Sequence, residues 1–481
     1  MTSKDSEATG ALVIFGISGD LARKMTFHAL YRLERRGRLT CPVVGVAMDD
    51  WTDEHLRAQA RAAIEGLEPR FSKRVFTRLA QRLRYVRGNF EDQRTYGALK
   101  QALSGVQRPL FYLEIPPSLF GTVVKQLAAA GLTDGARVMV EKPFGYDIQS
   151  ARKLNGQLRE VLDEDQILRI DHFLGKEPVM DLQFLRFAND ILEPVWNREH
   201  ISAVQISMAE DFGVEDRGSF YDAVGALRDV VQNHLLQVMA LAAMEPPAGA
   251  DADDLRNKKT DVFRAVPELE PEHSVRGQYE GYRKVAGVGR RSTTETYVAL
   301  RLAVDNWRWA GVPFFIRAGK AMAERVTEVR VVFRHPPHLA FLGRSARAEA
   351  NQVILRIDPQ PGLCLVLNSK GSEGRSSQPV HLDLSFAAEL GRPAEPYERL
   401  IDDALRGDHR LFTREDTVEE TWRIVQPLLD SPGPVLPYRQ GTWGPSEAAG
   451  LVRGHPAWHE PWLPSPAGGQ STSRRATRRK P

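Results

Sequence analysis

Cysteine is nearly missing from this chain: Cys41 and Cys364 are the two among 481 residues. Thiols so far apart make no disulfide framework, which excludes a stapled secreted fold and fits a reducing cytosol. Long apolar runs are missing too. No stretch is long enough to cross a bilayer, and the opening Met1-Thr-Ser-Lys-Asp-Ser-Glu7 is polar, with no apolar signal region behind it. Charge of one sign is not in excess, since 65 Lys and Arg stand against 62 Asp and Glu. That balance gives no reason to expect nucleic acid or membrane as a partner. No Cys/His cluster suggests a metal. What remains is an ordinary globular composition, 42% hydrophobic and 26% charged. The length exceeds one core, so two large domains are expected.

The two halves read differently. Ala11-Leu-Val-Ile-Phe15, Val43-Val-Gly-Val-Ala47, Pro109-Leu-Phe-Tyr-Leu113 and Ala136-Arg-Val-Met-Val140 are short apolar runs of the kind buried in parallel sheets. Helical patterns separate them; Leu21, Met25, Ala29, Leu30 and Leu33 share one face. Alternating strands and helices predict a Rossmann-like, doubly wound parallel sheet over 11–170. Beyond it, Ile201–Met208, Tyr297–Ala303, Val326–Phe333, Gln352–Ile357 and Leu363–Leu367 are β-rich runs without regular helices between them. They predict an α+β domain over 171–465 with a large, mainly antiparallel sheet and helices on one face. Residues 1–10 read as a flexible arm and 466–481, rich in Gly, Ser and Arg, as a disordered basic tail.

Five clusters carry chemistry. Gly16-Ile-Ser18-Gly19-Asp20-Leu21-Ala-Arg-Lys24 joins the first strand to the first helix, where glycines and a helix N-terminus suit a pyrophosphate. The spacing is not a complete Gly-x-Gly-x-x-Gly, and a plain strand–helix turn stays open as an alternative. Glu141-Lys142-Pro143-Phe-Gly145 follows the run ending at Val140, where a Lys sits between coenzyme and substrate and Pro143 is a candidate cis proline. Asp171-His172-Phe173-Leu-Gly-Lys176 combines a carboxylate, an imidazole and an ammonium, enough to move a proton and hold an anion. Asp229, Asn233 and Gln237 recur every four residues on one helical stripe, with His234 beside it. Phe315-Ile-Arg-Ala-Gly-Lys320-Ala-Met-Ala-Glu-Arg325 adds the cations Lys320 and Arg325.

These strings, in this order and over about 11–463, resemble the glucose-6-phosphate dehydrogenases. The resemblance implies oxidation of glucose 6-phosphate to the glucono-lactone, the first step of the oxidative pentose phosphate pathway. It implies His234 as general base oriented by Asp171, and Lys142, His172, Lys176, Glu210, Asp229, Lys320 and Arg325 as substrate-binding residues. Gly16, Ser18, Gly19, Asp20, Leu21, Lys24, Met48, Asp49, Tyr112 and Lys142 would bind the coenzyme. A cytoplasmic homodimer or homotetramer is expected. A dehydrogenase of another sugar or sugar phosphate, and an inactive regulatory paralogue, are the alternatives; the second is disfavoured because Asp171, His172, Lys176 and His234 are all present.

The chain departs from the family pattern in three places. Phe173 replaces the usual Tyr, whose hydroxyl would donate to the phosphate. Glu114 stands where the family carries a small neutral residue. Met48 replaces the Arg of NADP-preferring members, and Asp49 and Asp50 follow it. The resemblance says NADP, whereas two acids beside a 2′-phosphate say NAD or dual use unless a cation such as Arg23 or Lys24 screens them or the acids point away.

Overall fold

The computed structural model describes residues 9–337, 348–371, 377–391 and 393–463. Six strands succeed one another in the first part: β1 (Ala11–Phe15), β2 (Val43–Ala47), β3 (Leu83–Arg87), β4 (Pro109–Leu113), β5 (Arg137–Val140) and β6 (Ile167–Ile170). All neighbours among them pair in parallel, in the spatial order β6-β5-β4-β1-β2-β3. The order reverses between β1 and β4, which opens the crevice where doubly wound sheets bind ligands. Every residue of β1, β2 and β4 is buried, as the uninterrupted apolar runs predict.

Two of these six strands are absent from the sequence reading. In β3, Leu-Arg-Tyr-Val-Arg at the sheet edge, Leu83 alone is fully buried, so no apolar run announces it. In β6 a charge interrupts the run: Arg169 is buried, answered by Glu164 at 2.6 Å and Asn155 at 3.0 Å.

The second sheet contains β7 (Ile201–Ala209), β8 (Ser274–Tyr279), β9 (Tyr297–Leu302), β10 (Phe314–Gly319), β11 (Val326–Phe333), β12 (Gln352–Asp358), β13 (Gly362–Lys370) and β14 (Ser377–Ser385). With the later β16 (Val435–Tyr438) their order is β14-β13-β12-β11-β7-β10-β9-β8-β16. Pairing is antiparallel apart from β7–β10 and β8–β16. A cut near residue 170 is not clean. β15 (Phe412–Thr413) returns from the second half to pair with β6, Phe412 against Ile170, and helix Glu415–Asp430 packs on helix Ile148–Arg159. Of the expected arm, Thr9 and Gly10 are described and are tied down, Thr9 to the Leu405 carbonyl and Gly10 to that of Arg108. The rest of the arm, and the basic tail, lie outside the described residues. Among the described residues no helix is long and apolar enough to cross a membrane. Cys41 and Cys364 are both buried and unpaired.

The segment 218–243 departs from regular winding. Helix Gly218–Ala226 breaks at Gly225, which has φ +73°. Residues Leu227–Leu235 then wind as a π-helix before Leu236–Ala243 resumes α. Side chains five apart share a face in such a turn. The expected stripe of Asp229, Asn233 and Gln237 is therefore broken: Asp229 and His234 face one cavity, while Gln237 is buried and accepts from Lys259 at 3.0 Å.

Gly16 closes β1 with φ +84°, and a Cβ there would run into the carbonyl oxygen of Glu114. Gly16→Ala is expected to cost about 1–3 kcal/mol through backbone strain alone, read as a lower Tm in thermal unfolding. A Tm within error of the parent would show that the loop relaxes freely.

Candidate functional site

The site lies at the carboxyl ends of parallel strands drawn from both sheets. Lys142 comes just after β5 and Asp171 just after β6; the two strands are parallel neighbours. Glu210 follows β7 and Lys320 follows β10, again parallel, with Ala209 opposite Gly319. Neighbouring parallel strands thus deliver a Lys and an acid from one sheet, and an acid and a Lys from the other. The Lys142–Pro143 bond is cis. The π-helical turn brings Asp229 and His234 over the gap. Lys142, Glu210, Asp229, His234, Lys320 and His172 line a cavity of about 390 Å³ together with Phe173, Phe212 and Tyr221, with Asp171 behind His234.

At its floor the groups are joined in a line. The Asp171 and His234 side chains are both buried, and Asp171 Oδ1 lies 2.5 Å from His234 Nδ1. The same oxygen accepts the Phe173 N–H at 2.9 Å, which holds the carboxylate in place. On the other side of the ring, Lys142 Nζ lies 3.0 Å from His234 Nε2 and donates to the Asp229 carbonyl at 2.8 Å. An ammonium can only donate, so Nε2 accepts and Nδ1 carries the proton shared with Asp171. Burial pulls His234 below its ordinary 6.5, with Lys142 adding to the shift and Asp171 opposing it. Burial of Asp171 works the other way, yet the imidazole and its hydrogen bond hold the carboxylate well below the usual range. The result is a neutral, correctly oriented imidazole with a basic Nε2 facing the cavity.

Aromatic rings fix that imidazole. Phe173 stacks on it at 4.4 Å between centroids and 16° between planes, and His172 meets it edge-on at 4.5 Å. Lys176 Nζ sits 4.3 Å over the other ring contact, the Phe173 face. Phe173 is therefore a wall of the His234 imidazole rather than a bare loss of a hydroxyl. Lys176 and Arg325 share one acid: they lie 3.8 and 3.2 Å from Asp358, the last residue of β12. Lys320 reaches Glu210 at 2.5 Å. Asp358 was not among the residues singled out in the sequence; it is an acid at a strand end with no motif around it. Asp171, His172 and His234 offer ligand atoms within 4.8 Å of one another, but the Lys142 ammonium beside them opposes a cation there.

The coenzyme loop is cradle-like. Gly16 turns with positive φ, Gly19 N–H bonds back to the Gly16 carbonyl, and the helix beginning at Ala22 has no side-chain cap on its first turn. Those features suit an anionic pyrophosphate. Ser18 and Asp49 meet at 2.5 Å, and Met48 is exposed. Three residues expected at the coenzyme lie elsewhere or are otherwise engaged. Tyr112 is wholly buried and donates to Glu141 Oε1 at 2.7 Å, because the strand's alternation turns it into the core. Lys24 lines a separate groove with His28, Arg32 and Tyr397. Asp20 is paired with Arg23 at 3.2 Å.

Both halves of the chain match known families. Residues 13–181 match the NAD binding domain of glucose-6-phosphate dehydrogenase and residues 183–459 its C-terminal domain. The chain belongs to the glucose-6-phosphate dehydrogenase family. It is 58% identical over 457 residues to glucose-6-phosphate 1-dehydrogenase 1 of Mycobacterium tuberculosis, covering 95% of this chain and 97% of that one. The crystal structure of glucose-6-phosphate 1-dehydrogenase from Mycobacterium avium superposes with a TM-score of 0.88 at 59% identity, covering 95% of this chain and 100% of that one. A glucose-6-phosphate dehydrogenase solved with its substrate glucose 6-phosphate gives the same TM-score at 33% identity, covering 96% and 100%.

One acid near the glycine loop is buried. Glu114, just past β4, accepts from Thr26 through Oε1, while Oε2 is buried without a partner. Burial pushes its carboxyl up to about 8, and burial likewise pushes Glu141 up to about 7. Glu114 thus takes up a proton on folding wherever the pH lies between about 4.5 and 8, and stability falls as pH rises through that window. Glu114→Gln, with no charge to bury, should raise Tm more at pH 8 than at pH 5. Equal shifts at both would show that Glu114 folds in ionised.

Proposed function

We propose that the chain oxidises C1 of glucose 6-phosphate to the 6-phosphoglucono-lactone with NADP as coenzyme, through His234 as base. The Asp171–His234–Lys142 line is the observation that carries this reading. A sugar hydroxyl entering the cavity takes over the Nε2 position now held by Lys142. Its proton passes to Nε2, and Asp171 stabilises the imidazolium at Nδ1. Lys142, released from Nε2 but still bonded to the Asp229 carbonyl, holds the oxygen that is losing its proton. Accepting the hydride from C1 is the chemistry the nicotinamide supplies when bound.

Glu210 and Asp229, with Lys320, take the remaining sugar hydroxyls as hydrogen-bond partners. His172, Lys176 and Arg325 serve the phosphate. Asp358, the anionic partner of Lys176 and Arg325 in the free site, supports this: two cations already converge on one acid, and a phosphate offers more charge and more acceptors. The relative solved with glucose 6-phosphate supports the same substrate.

A homodimer fits the edge of the second sheet. Across β13 and β14 the pairs Leu363–Leu384, Leu365–Leu382 and Leu367–Val380 form one apolar face. Leu367, Val380, Leu382 and Leu384 on it are exposed, and a second copy would bury them. The buried, unpaired cysteines suit the cytoplasm.

Initial rates followed by nicotinamide absorbance test the reading. Glucose 6-phosphate should saturate the enzyme at far lower concentration than free glucose; a better rate with another sugar phosphate would overturn the assigned substrate. His234→Ala should lower kcat by about 10²–10⁴-fold with coenzyme affinity kept. The acid limb of kcat/KM should fall below pH 6.5, because burial holds His234 down. In Asp171→Asn the limb should move lower still, since the carboxylate that raises His234 is gone. Full activity in His234→Ala would refute the base.

Phe173→Tyr restores the family's phosphate donor. The expected gain is about 1.5–3 kcal/mol of substrate binding, seen as a KM for glucose 6-phosphate lowered by about tenfold or more with kcat little changed. A fall in kcat with KM unmoved would mean the ring serves the imidazole alone.

A further inference from the structure

The coenzyme's adenosine end is read just beyond β2, where this chain offers Met48, Asp49 and Asp50 and no cation of its own. Strand pairing supplies one from the side. Ala47, the last residue of β2, stands opposite Arg87, the last residue of β3. The Arg87 guanidinium therefore projects at the same sheet end, against the same loop, with Nη1 2.6 Å from Asp50 Oδ1. Both groups are exposed, 59% and 85%, and an ion pair so open to water is weak and easily exchanged.

The two acids that argue against a phosphate are each accounted for. Asp50 holds Arg87. Asp49 accepts from Ser18 through Oδ2 at 2.5 Å, and its carbonyl accepts the Tyr85 hydroxyl at 2.8 Å, which ties it to the glycine loop and to β3. Of the cations proposed from sequence, Lys24 lines the groove beside His28, and Arg23 pairs with Asp20 in a contact as open to water as that of Arg87.

We propose that Arg87 receives the 2′-phosphate of NADP, leaving Asp50 for it, and so sets the choice between NADP and NAD in this chain. A guanidinium meets a phosphate through paired N–H donors, which a lone carboxylate contact at its edge cannot match. β3 thus takes over the task that an Arg at position 48 would perform. This rests on the reading of NADP as coenzyme.

The test is kinetics with both coenzymes on the parent, Arg87→Ala and Asp50→Asn enzymes, with calorimetric binding of adenosine 2′,5′-bisphosphate and of ADP as a readout free of turnover. Arg87→Ala should lower kcat/KM for NADP by about 10- to 100-fold, the scale of one charge-assisted bond. Its affinity for adenosine 2′,5′-bisphosphate should fall in step, while NAD and ADP change less than about twofold, neither carrying the phosphate. Asp50→Asn, which frees the guanidinium, should shift NADP in the opposite direction. A parent that prefers NADP while Arg87→Ala loses nothing overturns the role of Arg87 and leaves the coenzyme reading standing. A parent that neither reduces NADP nor binds adenosine 2′,5′-bisphosphate overturns both. Equal losses with NADP and NAD would make Arg87 a structural residue of the loop and overturn its role in specificity.

Discussion

The site depends on one buried hydrogen bond, between Asp171 and His234. Asp171 ends a strand of the first sheet; His234 belongs to a helix packed under the second. A carboxylate taken out of water is costly unless its partner is held in place, so each element has to be where the other needs it. The surroundings comply. The Phe173 amide fixes the acid, the Asn233 side chain accepts the His234 N–H, and Phe173 and His172 wall the ring. β15 returns from the second half to seal β6 beside Asp171. Joining the two halves and orienting the base are the same physical act.

The π-helical turn is the second half of that device. In an α-helix Asp229 would align with Asn233, and His234 would sit about 140° from Asp229 on the wheel. The wider turn puts Asp229 and His234 together over the cavity and leaves Lys142 able to touch both. Backbone winding thus determines which side chains can act on one substrate.

Most of the fold was legible because burial writes itself as apolar runs. β1, β2, β4 and β5, and β7, β9, β11, β12 and β13 of the second sheet, are of that kind, whereas β8, β10 and β14 were not among the runs read. β3 and β6 were not legible, one lying half-exposed at an edge and the other carrying a buried Arg169 whose partners come from neighbouring segments. The site was legible as motifs and less so as geometry. Lys142, Asp171, His172, Glu210, Asp229, His234 and Lys320 do converge. Tyr112 and Lys24 carried the right letters but face the core and another groove, and Asp358 and Arg87 carried no letters at all. Strand register brings those two to their places, and register is a property of pairs of segments that neither segment shows alone.

The free site has already made stand-ins for its ligands. Lys142 occupies the base, Lys320 holds Glu210, Lys176 and Arg325 lean on Asp358, and Ser18 holds Asp49. Each of these polar groups is answered by a side chain that a ligand could replace. This has a physical reason: partly buried ionisable groups cannot be left unanswered without shifting their charge states. It also has a kinetic meaning. Ligand binding here is an exchange of partners, so the net gain per contact is the difference between two hydrogen bonds rather than the whole of one. Specificity then falls to the ligand that replaces all the stand-ins at once, as the proposed sugar phosphate would with a hydroxyl at Nε2 and a phosphate between Lys176 and Arg325. A sugar lacking its phosphate would leave Asp358 holding the two cations and gain only half the exchange.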